Sequence, residues 1–417
     1  MISGPLMNRS RSASAGALLV VALAAAACGS SATSSSSAAS APGVTAKQVS
    51  VGLVTSLTGP AAANFTGAEQ GAAARFALQN AQGGVDGRTI KLTVADDQSS
   101  PTGAQTAVSS LVSGTFGQVF ISDFTTQAFR TTSQAKVPVV GAPNDGPEWG
   151  QQPNTNMVSI LGNQAPVIPA STVLAQVARS VGATNMASLA IGNEEPSIAV
   201  AKSFVTGAKA DGLNVGYENY SIPIGSVNVT PVVLAMKAAH VDGFYSAMLN
   251  NTNFALMTAA QQAGLRLVAP IQVVGYGQDL LNDPTAVRGG QGAIFDLPQA
   301  PIELNTPATR AETAAFAKYE HFSGVPSFNW TYGWLSADLF IRGLEAAGKN
   351  PTRAAFIAKI RTITWDGGGL LPKPVDISLA GFGKTPATSC AYFAQLKGSA
   401  FVPMNGGKAY CGHTLGS

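Results

Sequence analysis

Histidine and cysteine are scarce in this chain, and charge is thin. Three histidines and three cysteines stand among 417 residues, and only 11% of residues are charged. His240, His321 and His413 lie far apart and form no His-x-x-Glu-His or similar spacing, so no metal-ligand motif is present. Neither a Gly-x-Ser-x-Gly elbow nor a phosphate loop ending in Gly-Lys-Ser/Thr occurs. No Gly-x-Gly-x-x-Gly follows the first strand-like run, which argues against a dinucleotide site. The formal net charge is +3 with no cluster of five basic residues, which excludes a nucleic-acid groove and an anionic membrane face. The cysteines contain no Cys-x-x-Cys pair and so no redox motif. These absences weigh against an enzyme, and neither a cofactor nor a metal is expected.

What is present begins at the N-terminus. Arg9 and Arg11 precede an apolar stretch over 15–24, and Ala25, Ala26 and Ala27 stand directly before Cys28. Charged, apolar and small-residue regions in that order make residues 1–27 a signal peptide. The apolar run falls short of the roughly 20 residues that cross a bilayer. The placement of Cys28 resembles the lipobox of bacterial lipoproteins, with Ala25 where that pattern prefers Leu. The resemblance implies that Cys28 is lipidated and that its acyl chains alone hold an extracytoplasmic protein to the membrane. Residues 28–43, mostly Ser and Ala, have too little apolar bulk to order and read as a flexible tether. Cys390 and Cys411 are the remaining pair in an exported chain, which predicts a disulfide closing a local loop near the C-terminus.

The exported part exceeds the ~250–300 residues at which a single core stops growing, so two domains are expected. Short apolar runs at 49–54, 89–95, 118–121 and 137–141 read as buried strands, separated by helical spacing over 66–81, from Pro101, and over 124–135. After a break the rhythm resumes. Strands are predicted at 186–191, 213–220, 242–247 and 271–275, and helices at 198–211, 230–239 and 254–263. Repeated alternation of this kind predicts an α/β protein with parallel sheets and crossover helices. Such sheets place ligand sites beyond the carboxyl ends of their strands. The loops there carry Ser, Thr, Asn, Asp, Trp and Tyr, a mix suited to a small polar ligand.

Three segments carry a resemblance. They are Leu57-Thr-Gly-Pro60 after the first strand, the helix end Asn80 with Gly83-Gly84-Val85-Asp86-Gly87, and the strand closed by Asp96-Asp97. In that order and spacing they resemble the periplasmic substrate-binding proteins of branched-chain amino acid ABC transporters. Weaker echoes run on to Trp365, including the segment 331–338, where Gly333 stands in place of the usual Asp. The resemblance implies two Rossmann-like lobes joined by three crossings, a hinge of the type I periplasmic binding fold. Lobe one would be 44–162 plus 301–365, and lobe two 163–300 plus 366–417. It implies a monomer that captures a small amino acid or related polar compound between the lobes, closes about the hinge and delivers it to ABC permease subunits. A ligand sensor of the same fold, signalling to a membrane partner, is the alternative.

The resemblance assigns candidate ligand residues in lobe one, Thr125, Thr126, Asn144 and Asp145; position in the strand-end loops adds Ser56, Phe65 and Trp149 from lobe one and Asn250 and Tyr276 from lobe two. Each has a plainer reading. Thr125 and Thr126 suit a helix cap, Asp145 an Asx-turn before Gly146-Pro147, and the aromatics loop packing. Glu194, Glu195, Gln278 and Asp279 are lesser candidates. Asp96 and Asp97 read as strand-end structural residues, not as an acid and base.

Overall fold

A computed structural model describes residues 41–142, 146–384, 386 and 388–415. The predicted signal peptide, Cys28 and all but the last residues of the tether lie outside the described residues, as do Asn144 and Asp145.

Two sheets organise the chain. In the first, β1 (Gln48–Thr55) is flanked by β2 (Thr89–Asp96) and β3 (Gly117–Phe120), followed by β4 (Val139–Gly141) and β5 (Met157–Ser159). The order is β2-β1-β3-β4-β5 and every pair is parallel. β1 is buried along nearly its whole length because helices cover both faces of the sheet, which is why it reads as a continuous apolar run. Helix Ala68–Ala81 ends where Gly83 and Gly84 take φ of +101° and +74°. There the Asn80 side chain reaches β2, donating to Ile90 O at 2.8 Å and accepting from Ile90 N at 2.7 Å. The Asn-x-x-Gly-Gly motif is therefore a stitch between a helix end and the next strand. The continuous helix predicted over 124–135 is instead a turn, Thr125–Gln127, and a short helix, Phe129–Gln134.

The second sheet holds β6 (Asn185–Ile191), β7 (Asn214–Ile222), β8 (Gly243–Ala247), β9 (Ala269–Gln272) and β10 (Ile294–Leu297) in parallel. It also holds β11 (Thr388–Lys397), β12 (Ala400–Pro403) and β13 (Tyr410–His413), all antiparallel to their neighbours. The order is β12-β11-β10-β9-β8-β6-β7, with β13 on β11. The sheets are parallel through β1–β10, as expected, and the three C-terminal strands make the second sheet mixed. Parallel pairing needs a crossover of a dozen residues or more, whereas only Gly398 and Ser399 separate β11 from β12. Cys390 and Cys411 stand opposite one another on β11 and β13 and are disulfide-bonded, as the sequence predicts.

The first core gathers residues of the first sheet around helix Phe328–Ala347, which is buried over almost its entire surface. That helix lies against Ala68–Ala81 at backbone distance. A Cβ on Gly333 would sit 2.3 Å from Ala68 O, and one on Gly71 would sit 1.9 Å from Trp330 O. No larger residue fits at either place. Arg75 and Arg342 both reach the Asp338 carboxylate, at 2.7 Å and 2.9 Å. Leu370, Leu371 and Ile377, from the segment assigned by sequence to lobe two, pack in this first core. The second sheet buries a core on each face.

Candidate functional site

Loops at the carboxyl ends of strands from both sheets converge on one small cavity. It is lined by Ala63, Asn64 and Thr66 after β1, by Asn250 after β8, by Gly275 to Gly277 after β9, and by Ser327 and Phe328, which open the long buried helix. Its volume is about 40 Å³. Ser327 Oγ donates to Thr66 O at 3.2 Å, and Asn329 Nδ2 donates to Asn64 O, so the helix start and the β1 loop are tied together.

Asn250 is the first residue of helix Asn250–Gln262 and lies on the cavity wall. Its Oδ1 is buried and makes no hydrogen bond among the described residues. A buried acceptor left unpaired costs about 1–3 kcal/mol, which a donor brought by a ligand would recover. Its neighbours are differently employed. Asn251 donates to Gly225 O, while Asn253 accepts from Ser246 Oγ at 2.5 Å and donates to Met248 O.

Tyr276 also borders the cavity, but its hydroxyl is engaged within the protein. It donates to Glu303 at 2.7 Å and accepts from Ile302 N, and its ring lies 4.6 Å from that of Phe401. Burial, together with the Glu303 charge, holds its phenol well above the ordinary range. Burial likewise raises Glu303.

The first-sheet candidates are placed as follows. Ser56 Oγ donates to Asp97 at 2.6 Å, Ser122 Oγ to the same carboxylate at 2.5 Å, and Ser99 N adds a third bond. Asp96 accepts from Leu57 N, Thr58 Oγ1 and Gln98 N. Burial alone would raise the Asp96 carboxyl; those hydrogen bonds outweigh it and hold it below the ordinary value. Both aspartates thus fix the loops after β1 and β2. Phe65 packs in the first core, and Trp149 is buried among Val54, Phe120 and Val139. Thr125 is buried and Thr126 exposed on the turn after β3. Of the lesser candidates, Asp279 lines the cavity, Gln278 is bonded to Val325 and Asn282, and burial raises Glu194.

Asn64, Thr66, Ser327 and Phe328 were not singled out by sequence. Their only signal is position: two follow β1, and two precede the Thr331-Tyr-Gly-Trp run. Among the described residues no group of three His, Cys, Asp or Glu side chains could hold a metal. No described helix is long and apolar enough to cross a membrane. The arrangement offers hydrogen-bonding groups and enclosure.

Solved structures share this fold at low identity. A branched-chain amino acid ABC transporter protein from Thermus thermophilus with bound valine superposes with a TM-score of 0.72 at 17% identity, over 89% of this chain and 97% of that one. A fatty acid ABC transporter substrate-binding protein from Thermomonospora curvata gives 0.71 at 20% identity, over 91% and 95%. A solute-binding protein of an ABC transporter from R. palustris, in complex with benzoate, gives 0.69 at 15% identity, over 89% and 98%. A search of curated protein sequences finds no match. The model of the periplasmic binding protein family matches residues 48–401. The chain therefore belongs to the periplasmic binding proteins, a family of solute-binding proteins and not of enzymes.

Proposed function

We propose that this protein is an extracytoplasmic lipoprotein that captures a small amino acid or related polar compound and hands it to an ABC importer. The observation that carries the reading is the convergence of strand-end loops from both sheets on one cavity, with the Asn250 acceptor on its wall unpaired among the described residues; at about 40 Å³ the cavity holds little more than a water, so the lobes must part to admit the ligand. The sequence around Cys28 supports the lipid anchor. Lobe one would comprise 44–162 and 301 to about 378, because Leu370, Leu371 and Ile377 pack in the first core. Lobe two would comprise 163–300 and the tail from β11 onward. Ligand would favour closure only through contacts it gains in the closed state.

The relatives' ligands differ in kind: valine, benzoate and, by its name, fatty acids. The Asn250 acceptor and the Asp279 carboxylate on the cavity wall favour a ligand with donor groups. The test is a thermal-shift screen of purified protein with valine, leucine, small amides, benzoate and a medium-chain fatty acid. A true ligand at 100 times its dissociation constant adds about 2.7 kcal/mol. Stabilisation by an amino acid or amide, recovered unaltered afterwards, is the expected result. Stabilisation by benzoate or the fatty acid alone, or chemical conversion of the bound compound, refutes the reading.

A further inference from the structure

A second and larger cavity lies where the chain passes between the two sheets. Its volume is about 660 Å³, and it shares no lining residue with the cavity at Asn250. Its walls come from residues 161–165 after β5, from Asp296 and Pro298 at the end of β10, from residues 371–376, and from the disulfide-linked strands through Ser389–Ala391 and Thr414. Leu161, Leu371, Pro372, Pro374 and Val375 make much of the surface apolar.

Asp296 is out of place in its strand. β10 reads Ile294-Phe295-Asp296-Leu297, and its three apolar residues are buried in the cores. Asp296 alone is half-buried, on the cavity wall. Among the described residues its carboxylate takes part in no ion pair and accepts no hydrogen bond. Lys373 and Lys384 border the same cavity, but burial is the one influence felt by the carboxyl, which is pushed up to about 7. Tyr245 from β8 and Tyr332 from the long buried helix both feel its charge. Thr414 Oγ1, on the same wall, is buried without a hydrogen-bond partner. A carboxylate partly withdrawn from water and without a cation is destabilising, and a strand this apolar would accept a neutral residue more readily.

We propose that this cavity is a second ligand site that takes an organic primary amine with an apolar body, its ammonium group pairing with Asp296. The apolar walls would receive the hydrocarbon portion, and the Thr414 hydroxyl stands as a further hydrogen-bonding group on the wall. The site stands apart from the proposed transport ligand and does not depend on that reading.

The probe is n-hexylamine, with n-hexanol as the uncharged control, added to the full folded protein in calorimetric titrations at pH 8. Saturable binding of n-hexylamine is expected, with n-hexanol at least tenfold weaker. Asp296→Asn is expected to weaken n-hexylamine at least tenfold, while Asn250→Ala leaves it unchanged. In the wild type, affinity should fall about tenfold between pH 8 and pH 6, as the carboxyl takes up its proton. The phenols near it, Tyr245, Tyr332 and Tyr392, are all raised by burial and keep their protons across that range, so the pH arm reports on Asp296 even if the Asn variant fails to fold. No saturable binding, equal binding of n-hexanol, or undiminished binding by a folded Asp296→Asn protein each overturns the proposal.

Discussion

Glu312 sits within helix Pro307–Tyr319 with no exposed surface, and neither of its oxygens makes a hydrogen bond within normal limits. Burial pushes its carboxyl from 4.5 up to about 8, and the nearby Thr331 hydroxyl only partly offsets this. The folded state therefore holds the proton more tightly than the unfolded chain does. Stability is fullest below the unfolded value of 4.5 and is lost as pH rises toward 8. Each pH unit across that window costs about 1.4 kcal/mol, so roughly 3 kcal/mol is gone by pH 7. Glu312→Gln keeps the shape and removes the titration. Urea denaturation of both proteins at half-unit steps from pH 4.5 to 8.5 should show wild type losing stability more steeply than the variant, by about 4 kcal/mol over the whole range. Asp296 and Glu303, also raised, leave the variant a residual slope of the same sign. Two parallel profiles would refute the burial argument.

Other outcomes follow from the same geometry. Asn250→Ala should weaken the transported ligand about tenfold, the worth of about one hydrogen bond, without lowering the melting temperature of the unliganded protein, whose unpaired acceptor it removes; equal affinity by titration removes Asn250 from the site. Cys390→Ser should lower stability by about 2–4 kcal/mol without touching the affinity of that ligand, and a matching loss of affinity would mean that the tail reaches the Asn250 cavity. Gly333→Val should cost about 3 kcal/mol in chemical denaturation, because its side chain would meet the backbone of Ala68–Ala81; an unchanged midpoint would contradict the close approach. Cys28→Ser should move the protein from the membrane fraction to the soluble one, and retention in the membrane would exclude acyl anchoring at that residue.

How far the sequence speaks depends on the range of the interaction. The parallel strands were legible because burial on both faces leaves a continuous apolar run, as in β1, and helix ends were legible through glycines such as Gly83 and Gly84 that set local backbone geometry. The three C-terminal strands were not. They are half-exposed and antiparallel, and β11 alternates in character without a distinctive run. The strand-end position of the Asn250 cavity was readable, since it follows from strand direction. Its chemistry was less so. Whether Tyr276 could offer its hydroxyl turned on Glu303, 27 residues away, and Ser56 was engaged by Asp97, 41 residues away. Ser327 and Phe328 joined the cavity through a helix start more than 260 residues from the β1 loop it touches. Gly333 read only as a departure from the usual Asp, and its reason emerged with the helix lying across it.

The last described stretch of the chain has a practical bearing on how these measurements are made. Ser171 bridges to Thr414, Leu415 N donates to Ala170 O at 2.8 Å, and Thr414 borders the larger cavity. A purification handle fused to the C-terminus follows within a few residues of Thr414, which borders that cavity, so the amine titrations are made with the handle removed.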